Sequence, residues 1–396
     1  MNPINVTSDI EPLKEVLLHR PGKELLNLTP NNLERLLFDD IPFLKEAQKQ
    51  HDAFAQKLKE NGVNVVYLED LMAEVLEQSP QVKQKFIKQF ISEANVQDKY
   101  KEITFNYLNS IKNTKDLVLK TMEGLRASEL DNTKTSSFIT DPMPNLYFTR
   151  DNFSSIGTGI SLNKMYLQTR SRETIYGEYI FNYHPKYKGK VDKYYDRYEK
   201  YHIEGGDISN LNDHILLIGI SQRTEMKAIT KLAKNLFHNK DSNIDTILVL
   251  NIPKNRAFMH LDTVFTQVDY DKFVYYPGIL DDLKIYEITK LDNQNLDIKE
   301  INETLENTLE KHLKTKVTLI PCANGNQIDA AREQWNDGCN TLCISPGLVI
   351  VYNRNPQTNE LLKKHGIRLI EINSSELSRG RGGPRCMSMP LIRKSK

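Results

Sequence analysis

The sequence predicts an α/β protein in which a strand–strand–helix–strand unit recurs, interrupted once by an all-helical stretch. Three observations carry this expectation. Short apolar runs such as HILLIGIS (214–221), DTILVLNIP (245–253) and GLVIVYNR (347–354) read as buried strands. Segments with apolar residues at helical spacing, such as TEMKAITKLAKNLF (224–237), lie between those runs. From Asp70 to about Met122 no strand pattern appears at all.

The elements follow in order. The first unit begins at EVLLHRPG (15–22), continues as helix from Asn31 to about Gly62 on the spacing of Leu33, Leu36, Leu37, Phe54 and Leu58, and closes at GVNVVYL (62–68). The helical stretch then shows Leu71 and Val75, Val82, Phe86 and Phe90, Ile103, Tyr107 and Ile111, and Leu117 and Met122, with an exit loop over Thr133 to Asn145. The second unit begins with a strand at LYFTRD (146–151) and contains helical RETIYGEYIFNYH (172–184). The third begins at HIEGGDI (202–208) and runs through HILLIGIS and its helix to DTILVLNIP. The fourth begins at MHLDTVFT (259–266), includes INETLENTLEKHLK (301–314) and closes at KVTLIPCA (316–323). The fifth runs from NTLCISPGLVIVYNR (340–354) through NELLKKHG to IRLIEI (367–372). The division is 1–69 for the first unit, 70–145 for the inserted helical subdomain, and 146–396 for the remaining units and a C-terminal loop. Five such units either close radially, as propeller blades do, or lie in one open α/β sheet.

Composition excludes several classes. At 396 residues, 39% hydrophobic and 27% charged, the chain is an ordinary globular protein with net charge +1. A nucleic-acid binder shows a basic stripe, and only the short C-terminal cluster is basic. The start of the chain lacks the basic and apolar regions of a secretory signal. No apolar run approaches the ~20 residues of a membrane helix. Four cysteines make no disulfide framework, so a reducing cytoplasm is expected. Cys339 and Cys343 read as structural thiols, a C-x3-C zinc pair being the weaker alternative.

Cys386 differs from the other cysteines. It follows Gly380, Gly382 and Gly383 and is flanked by Arg379, Arg381 and Arg385. Glycine permits close backbone approach, and positive charge favours a thiolate. Polar clusters stand at the start of three units: FTRD (148–151), HIEGGD (202–207) and HLD (260–262). His260 and Asp262 would share one face of a strand by period-two alternation. A thiol, a histidine and several carboxylates form the inventory of nucleophilic catalysis. Those carboxylates repel an oxyanion and welcome a cation, and a planar guanidinium matches them bidentately. A metal set of His202, Glu204, His260 and Asp262 is the alternative, but it leaves Cys386 without a role. An RNA-binding reading of RGRGG (379–383) likewise leaves Cys386 dispensable.

PMPNLYFTRD (142–151), HIEGGD, SQRTE (221–225), HLDTVF (260–265) and GRGGPRCMSMP (380–390), in this order, resemble arginine deiminase within the guanidine-modifying superfamily. The resemblance spans essentially the whole chain. It implies a five-fold pseudosymmetric α/β propeller of ββαβ units with a helical insertion. It also implies hydrolysis of L-arginine by water to L-citrulline and ammonia without metal or organic cofactor, with no nucleic-acid or membrane partner and with homo-oligomers as a possibility. Carried over by position, Cys386 is the nucleophile, His260 the general acid/base and Glu204 its partner. Asp151 and Asp262 form the guanidinium clamp. Asn145, Arg170, Arg223 and Arg381 hold the amino-acid end, and Phe148 packs on the aliphatic stem. Arg172 lies close enough to Arg170 to exchange with it across a small gap, and Arg385 receives no role.

Overall fold

The computed structural model describes residues 2–130, 137–292 and 295–395. The fold is mixed α/β, and five of its sheets repeat one pattern. In the second unit Phe153–Ile156 pairs antiparallel with Gly159–Leu162, which pairs parallel with Lys193–Tyr195. A parallel pair needs a crossover, and helix Thr174–Tyr183 supplies it. The third unit repeats this with Ile208–Asn210, Ile215–Ile220, helix Met226–His238 and Thr246–Asn251. The fourth uses Phe265–Gln267, Lys272–Tyr275, helix Leu305–Leu313 and Thr318–Pro321. The fifth uses Leu342–Ser345, Leu348–Tyr352, helix Pro356–Lys364 and Arg368–Ile372.

The first unit is completed from the other end of the chain. Leu13–Leu18 pairs parallel with Asn64–Tyr67 across helix Leu44–Glu60, and antiparallel with the last strand, Met389–Arg393. That strand fixes the loop carrying Cys386 against the start of the chain. Packing explains the helices. On Met226–His238 the buried residues are Ala228, Ile229, Leu232, Ala233 and Leu236, one apolar stripe facing the sheet. Truncating Leu232 there would cost about 2–5 kcal/mol.

The all-helical stretch is four helices: Leu68–Glu77, Pro80–Glu93, Asp98–Ser110 and Thr114–Glu123. Ser79 caps the second by accepting from Val82 N–H, with Pro80 at its first position. Phe86 and Phe90 bury against Tyr176 and Tyr179 of the second unit's helix, and these rings seat the helices on that unit. The boundaries placed at 69/70 and 145/146 fall inside helix Leu68–Glu77 and the 3-10 turn Pro144–Tyr147.

Several expectations are corrected. Helix does not begin at Asn31: it starts at Leu44, and the residues before it form turns. Pro30 and Pro42 bias the residues before them away from helix, and Asn32 Oδ1 accepts Thr29 N–H at 2.7 Å. Leu37 sits at φ 64°, so the leucine spacing there is that of a turn burying Leu36. LYFTRD is not a strand, because Pro144–Tyr147 is a 3-10 turn and the strand starts at Phe153. His260 and Asp262 do not alternate on a strand either. Leu261–Thr263 is a 3-10 turn, held by Leu261 N–H donating to Asp207 Oδ1 at 2.8 Å and Thr263 Oγ1 donating to His260 O at 2.7 Å. A hairpin of Lys284–Lys290 and Leu296–Ile301, absent from the sequence reading, widens the third sheet to five strands. Within the exit loop, 133–136 lie outside the described residues, and Phe138–Thr140 pairs as a short strand with Leu125–Arg126.

Candidate active site

The polar clusters share one placement. Asp151 lies just before Phe153–Ile156, Glu204 and Asp207 just before Ile208–Asn210, and His260 and Asp262 just before Phe265–Gln267. Cys386 lies just before Met389–Arg393. Each comes from the turn that enters its sheet, and these turns converge. One small cavity, about 20 Å³, is lined by Asn145, Phe148, Asp151, Arg170, Arg223 and His260, together with Arg381 and Cys386. Leu37, Met259 and Gly380 complete its wall. Such a space holds about one water, so the walls must part for anything larger.

His260 Nε2 lies 2.7 Å from Glu204 Oε2, and its Nδ1 is 3.8 Å from Asp151 Oδ1. Burial opposes the imidazolium, but Asp151 and the Glu204 hydrogen bond outweigh it and push its pKa up to about 9. Gly206 lets the ring approach: a Cβ there would stand 2.6 Å from His260 Cγ. Glu204 is also held by Tyr166 N–H at 2.9 Å and lies 3.6 Å from Arg223 Nη1. Burial opposes its ionisation, yet Arg223, His260 and Arg170 bring its pKa down to about 2.

Cys386 Sγ lies 3.7 and 3.9 Å from the Asp262 carboxylate oxygens. Burial, then Asp262, Asp151 and Asp337, hold the thiol well above its ordinary pKa, with Arg385 opposing. The buried carboxylates around Cys386 therefore disfavour its thiolate. Asp262 is paired with Arg385 Nη1 at 2.7 Å, and Arg385 Nη2 reaches Asp9 at 2.7 Å. Arg385, given no role in the sequence reading, thus ties the loop carrying Cys386 to Asp262 and to the start of the chain.

Arg170 donates to Asp151 Oδ2 at 2.6 Å and to Glu173 at 2.9 Å. Arg172 instead donates to Asp141 O and lies over the Phe90 ring, away from the cavity wall. Asn145 donates to Leu36 O at 2.8 Å, tying the cavity to the turn carrying Leu37. Phe148 packs under the glycine loop, where a Cβ on Gly380 or Gly382 would meet its ring. Those two glycines serve close packing, and the residue in the left-handed region is Arg381, at φ 62°. Its guanidinium lies 3.3 Å from the centroid of Trp335, the single tryptophan. Four of the buried side-chain atoms without a hydrogen-bond partner belong to residues lining this cavity: Asp151 Oδ1, Arg223 Nε, and Arg381 Nε and Nη1. One is an anionic acceptor and three are cationic donors.

Asp151, Glu204 and His260 each offer an atom within 4.8 Å of the others, the geometry of a possible metal set. His202 and Asp262 of the alternative metal set are not in it. Arg170 on Asp151, and Arg223 with His260 on Glu204, already supply positive charge to its carboxylates. The residues missed in the sequence are Asn340, Glu173 and Trp335, and Asp207, a member of HIEGGD, was given no role there. Asp207 immediately precedes the first strand of the third unit, and Asn340 stands two residues ahead of that of the fifth, which is a legible signal for both. All four cysteines are free and buried. No helix among the described residues is long and apolar enough to cross a membrane.

A family model described as arginine deiminase matches residues 34–393. The chain belongs to the arginine deiminase family. Similar relatives are the arginine deiminases of Treponema denticola, 58% identical over 403 residues with 98% of each chain covered, and of Clostridium perfringens, 55% identical over 404 residues with 98% of each covered. That of Streptococcus pneumoniae is 52% identical over 406 residues, covering 99% of this chain and 98% of the relative. Among solved structures, the product-bound N-terminal domain of ArgZ, a cyanobacterial arginine dihydrolase, aligns with TM-score 0.55 at 15% identity, covering 96% of this chain and 97% of that one. A dimethylarginine dimethylaminohydrolase adduct with S-methyl-L-thiocitrulline aligns with TM-score 0.53 at 15% identity, covering 95% and 99%. These two likenesses concern the fold of this chain.

Proposed function

We propose that the chain hydrolyses L-arginine to L-citrulline and ammonia, with Cys386 as nucleophile, His260 as general acid and base, and Asp151 and Asp262 gripping the guanidinium. The observation that carries this is the polarity of the orphaned groups around one cavity. An acceptor on Asp151 and donors on Arg223 and Arg381, none of them hydrogen-bonded, suit a molecule cationic at one end and anionic at the other. A buried polar atom left unpaired costs about 1–3 kcal/mol, and a zwitterionic substrate recovers that at both ends.

The guanidinium enters between carboxylates, and its charge brings the thiol within reach of ionisation. Cys386 releases its S–H proton to solvent, and the thiolate sulfur adds to the guanidinium carbon. His260 gives its proton to the departing nitrogen, the C–N bond breaks and ammonia leaves. A thiouronium on Cys386 remains. Water adds to the same carbon and gives a proton to His260, the C–S bond breaks, and citrulline departs. Glu204 keeps His260 charged for the first half of the cycle. Agmatine lacks the carboxylate that Arg223 and Arg381 await, so arginine is the preferred substrate.

In this reading the five ββαβ units close around an axis, with their entering turns at one end and residues 70–145 inserted as a helical subdomain. The glycine loop and the turn carrying Leu37 part to admit arginine. The test is citrulline release by wild type and Cys386→Ser, with agmatine as competitor. A loss of at least about a thousandfold is expected, as for removal of other nucleophiles. Near-normal turnover in the serine variant would remove the mechanism.

A further inference from the structure

Asn340 lies between Cys339 and Cys343 and is fully buried. Its Oδ1 accepts the Cys386 backbone N–H at 3.0 Å. Its Nδ2 donates to Cys386 Sγ at 3.1 Å and to Asp262 O at 3.1 Å. A side-chain amide has two donor hydrogens, and here both are engaged around the sulfur. The orientation of the amide follows from the Cys386 N–H, which can only donate. The loop closes tightly on this residue, because a Cβ on Gly383 would stand 2.7 Å from Asn340 O and 2.8 Å from its Oδ1. Asn340 stands two residues ahead of the first strand of the fifth unit, as Asp151 does in the second. The turns entering the second, fourth and fifth sheets thereby bring Asp151, Asp262 and Asn340 around the same sulfur.

We propose that Asn340 is a further catalytic residue, donating a hydrogen bond to Cys386 Sγ as the thiolate forms and fixing the sulfur against Asp262 through the same amide. The proposal rests on the reading of Cys386 as nucleophile. The charged groups facing Cys386 make such a donor necessary. Asp262, Asp151 and Asp337 oppose the thiolate, whereas Arg385 favours it, and His260 lies on the same cavity wall. Arg385 donates instead to Asp262, Asp9 and Ile208 O. Among the described residues the hydrogen bonds at Sγ run from Asn340 and to Asp262.

The experiment is the pH dependence of Cys386 alkylation by iodoacetamide, read by peptide mass, in wild type, Asn340→Ala and Asn340→Asp. Asn340→Asp keeps an acceptor for the Cys386 N–H and loses the donor. Asn340→Ala loses both without adding charge. The alkylation midpoint is expected to rise by about one to two pH units in both, a tenfold to hundredfold loss of thiolate at fixed pH. The kcat should fall at least about tenfold, with KM for arginine changed less than about threefold. An unmoved midpoint in either variant, its fold verified by circular dichroism, overturns the proposal. Alkylation does not require turnover. If Cys386→Ser still hydrolysed arginine, the nucleophile reading would fall, while the thiol titration would still report on Asn340.

Discussion

The His260 imidazole is held 2.7 Å from the Glu204 carboxylate, with both side chains buried, and Asp151 lies 3.8 Å from its other nitrogen. Burial alone drives a histidine toward the neutral form. The two carboxylates reverse that and carry the group to about 9. A first step that needs imidazolium should therefore weaken as pH rises through about 9. In Glu204→Gln that alkaline limb should move toward or below the ordinary ~6.5. Turnover at pH 8 should then fall at least about tenfold from loss of the charged form. An initial-rate pH profile checks this, and an alkaline limb that stays in place would exclude the pairing from catalysis.

The same pair makes stability depend on pH. The folded pKa of His260 is raised above its unfolded value, so its contribution is fully present below about pH 6.5 and lost as pH rises through about 9. Thermal melts of wild type should fall across that window. His260→Gln, measured in parallel, should fall less.

Arg385 carries a second buried network, bridging Asp262 and Asp9 at 2.7 Å each. Removing one partner of a buried ion pair leaves the others uncompensated and costs about 3–5 kcal/mol. Arg385→Ala should lower the urea midpoint by a corresponding amount. It should also slow Cys386 alkylation, because Arg385 favours the thiolate. A variant as stable as wild type would show that the two aspartates find other partners.

What the sequence made legible divides along physical lines. The buried strands and their crossover helices were readable, because apolar runs such as Ile215–Ile220 and the stripe on Met226–His238 report burial directly. Turns were misread wherever side chains of distant residues decide them. Leu261–Thr263 turns because Asp207, 54 residues away, accepts its first N–H. The hairpin at Lys284–Lys290 escaped notice because one of its strands, Leu296–Ile301, buries no residue. Most residues lining the cavity, among them Asn145, Phe148, Asp151, Arg223, His260, Arg381 and Cys386, were readable as motif members. Asn340, Glu173 and Trp335 were not, because their partners are brought together only by the fold. The amide of Asn340 meets Cys386 across 46 residues, and no local spacing encodes that.

The glycines of the C-terminal loop act by what they leave out. A Cβ on Gly382 would collide with the Phe148 ring, whereas Gly366, at φ 82°, has open space around it. Gly382→Ala should push Phe148 into the cavity and cost about 1–3 kcal/mol of stability, together with a rise in KM for arginine. Gly366→Ala should cost about 1–2 kcal/mol from backbone strain alone and leave KM unchanged. Urea titration and steady-state kinetics of the two variants separate the effects, and equal KM values would show that Phe148 does not touch substrate.

Trp335 holds Arg381 from behind. The guanidinium lies over the indole at 3.3 Å, in a loop where Arg381 already occupies the left-handed region. Burial lowers the Arg381 pKa, while Asp337 and Asp39 support its charge. The indole adds a cation–π contact worth about 0.5–2 kcal/mol, which fixes the plane of a guanidinium whose Nη1 lies 3.8 Å from Asp39 Oδ2 and whose Nε has no hydrogen-bond partner. Trp335→Ala should release the guanidinium and raise KM for arginine by about twofold to thirtyfold. Its kcat should change little, because Trp335 is absent from the cavity wall that carries Cys386 and His260. Trp335→Phe keeps a weaker aromatic face and should fall between the two. Because this tryptophan is the chain's single one, its emission reports directly on Arg381. Arginine should shift that emission in wild type and not in Arg381→Ala, whereas agmatine, with no carboxylate for Arg381, should shift it less. Identical responses to arginine and agmatine would place the carboxylate contact on Arg223 and leave Arg381 as part of the cover.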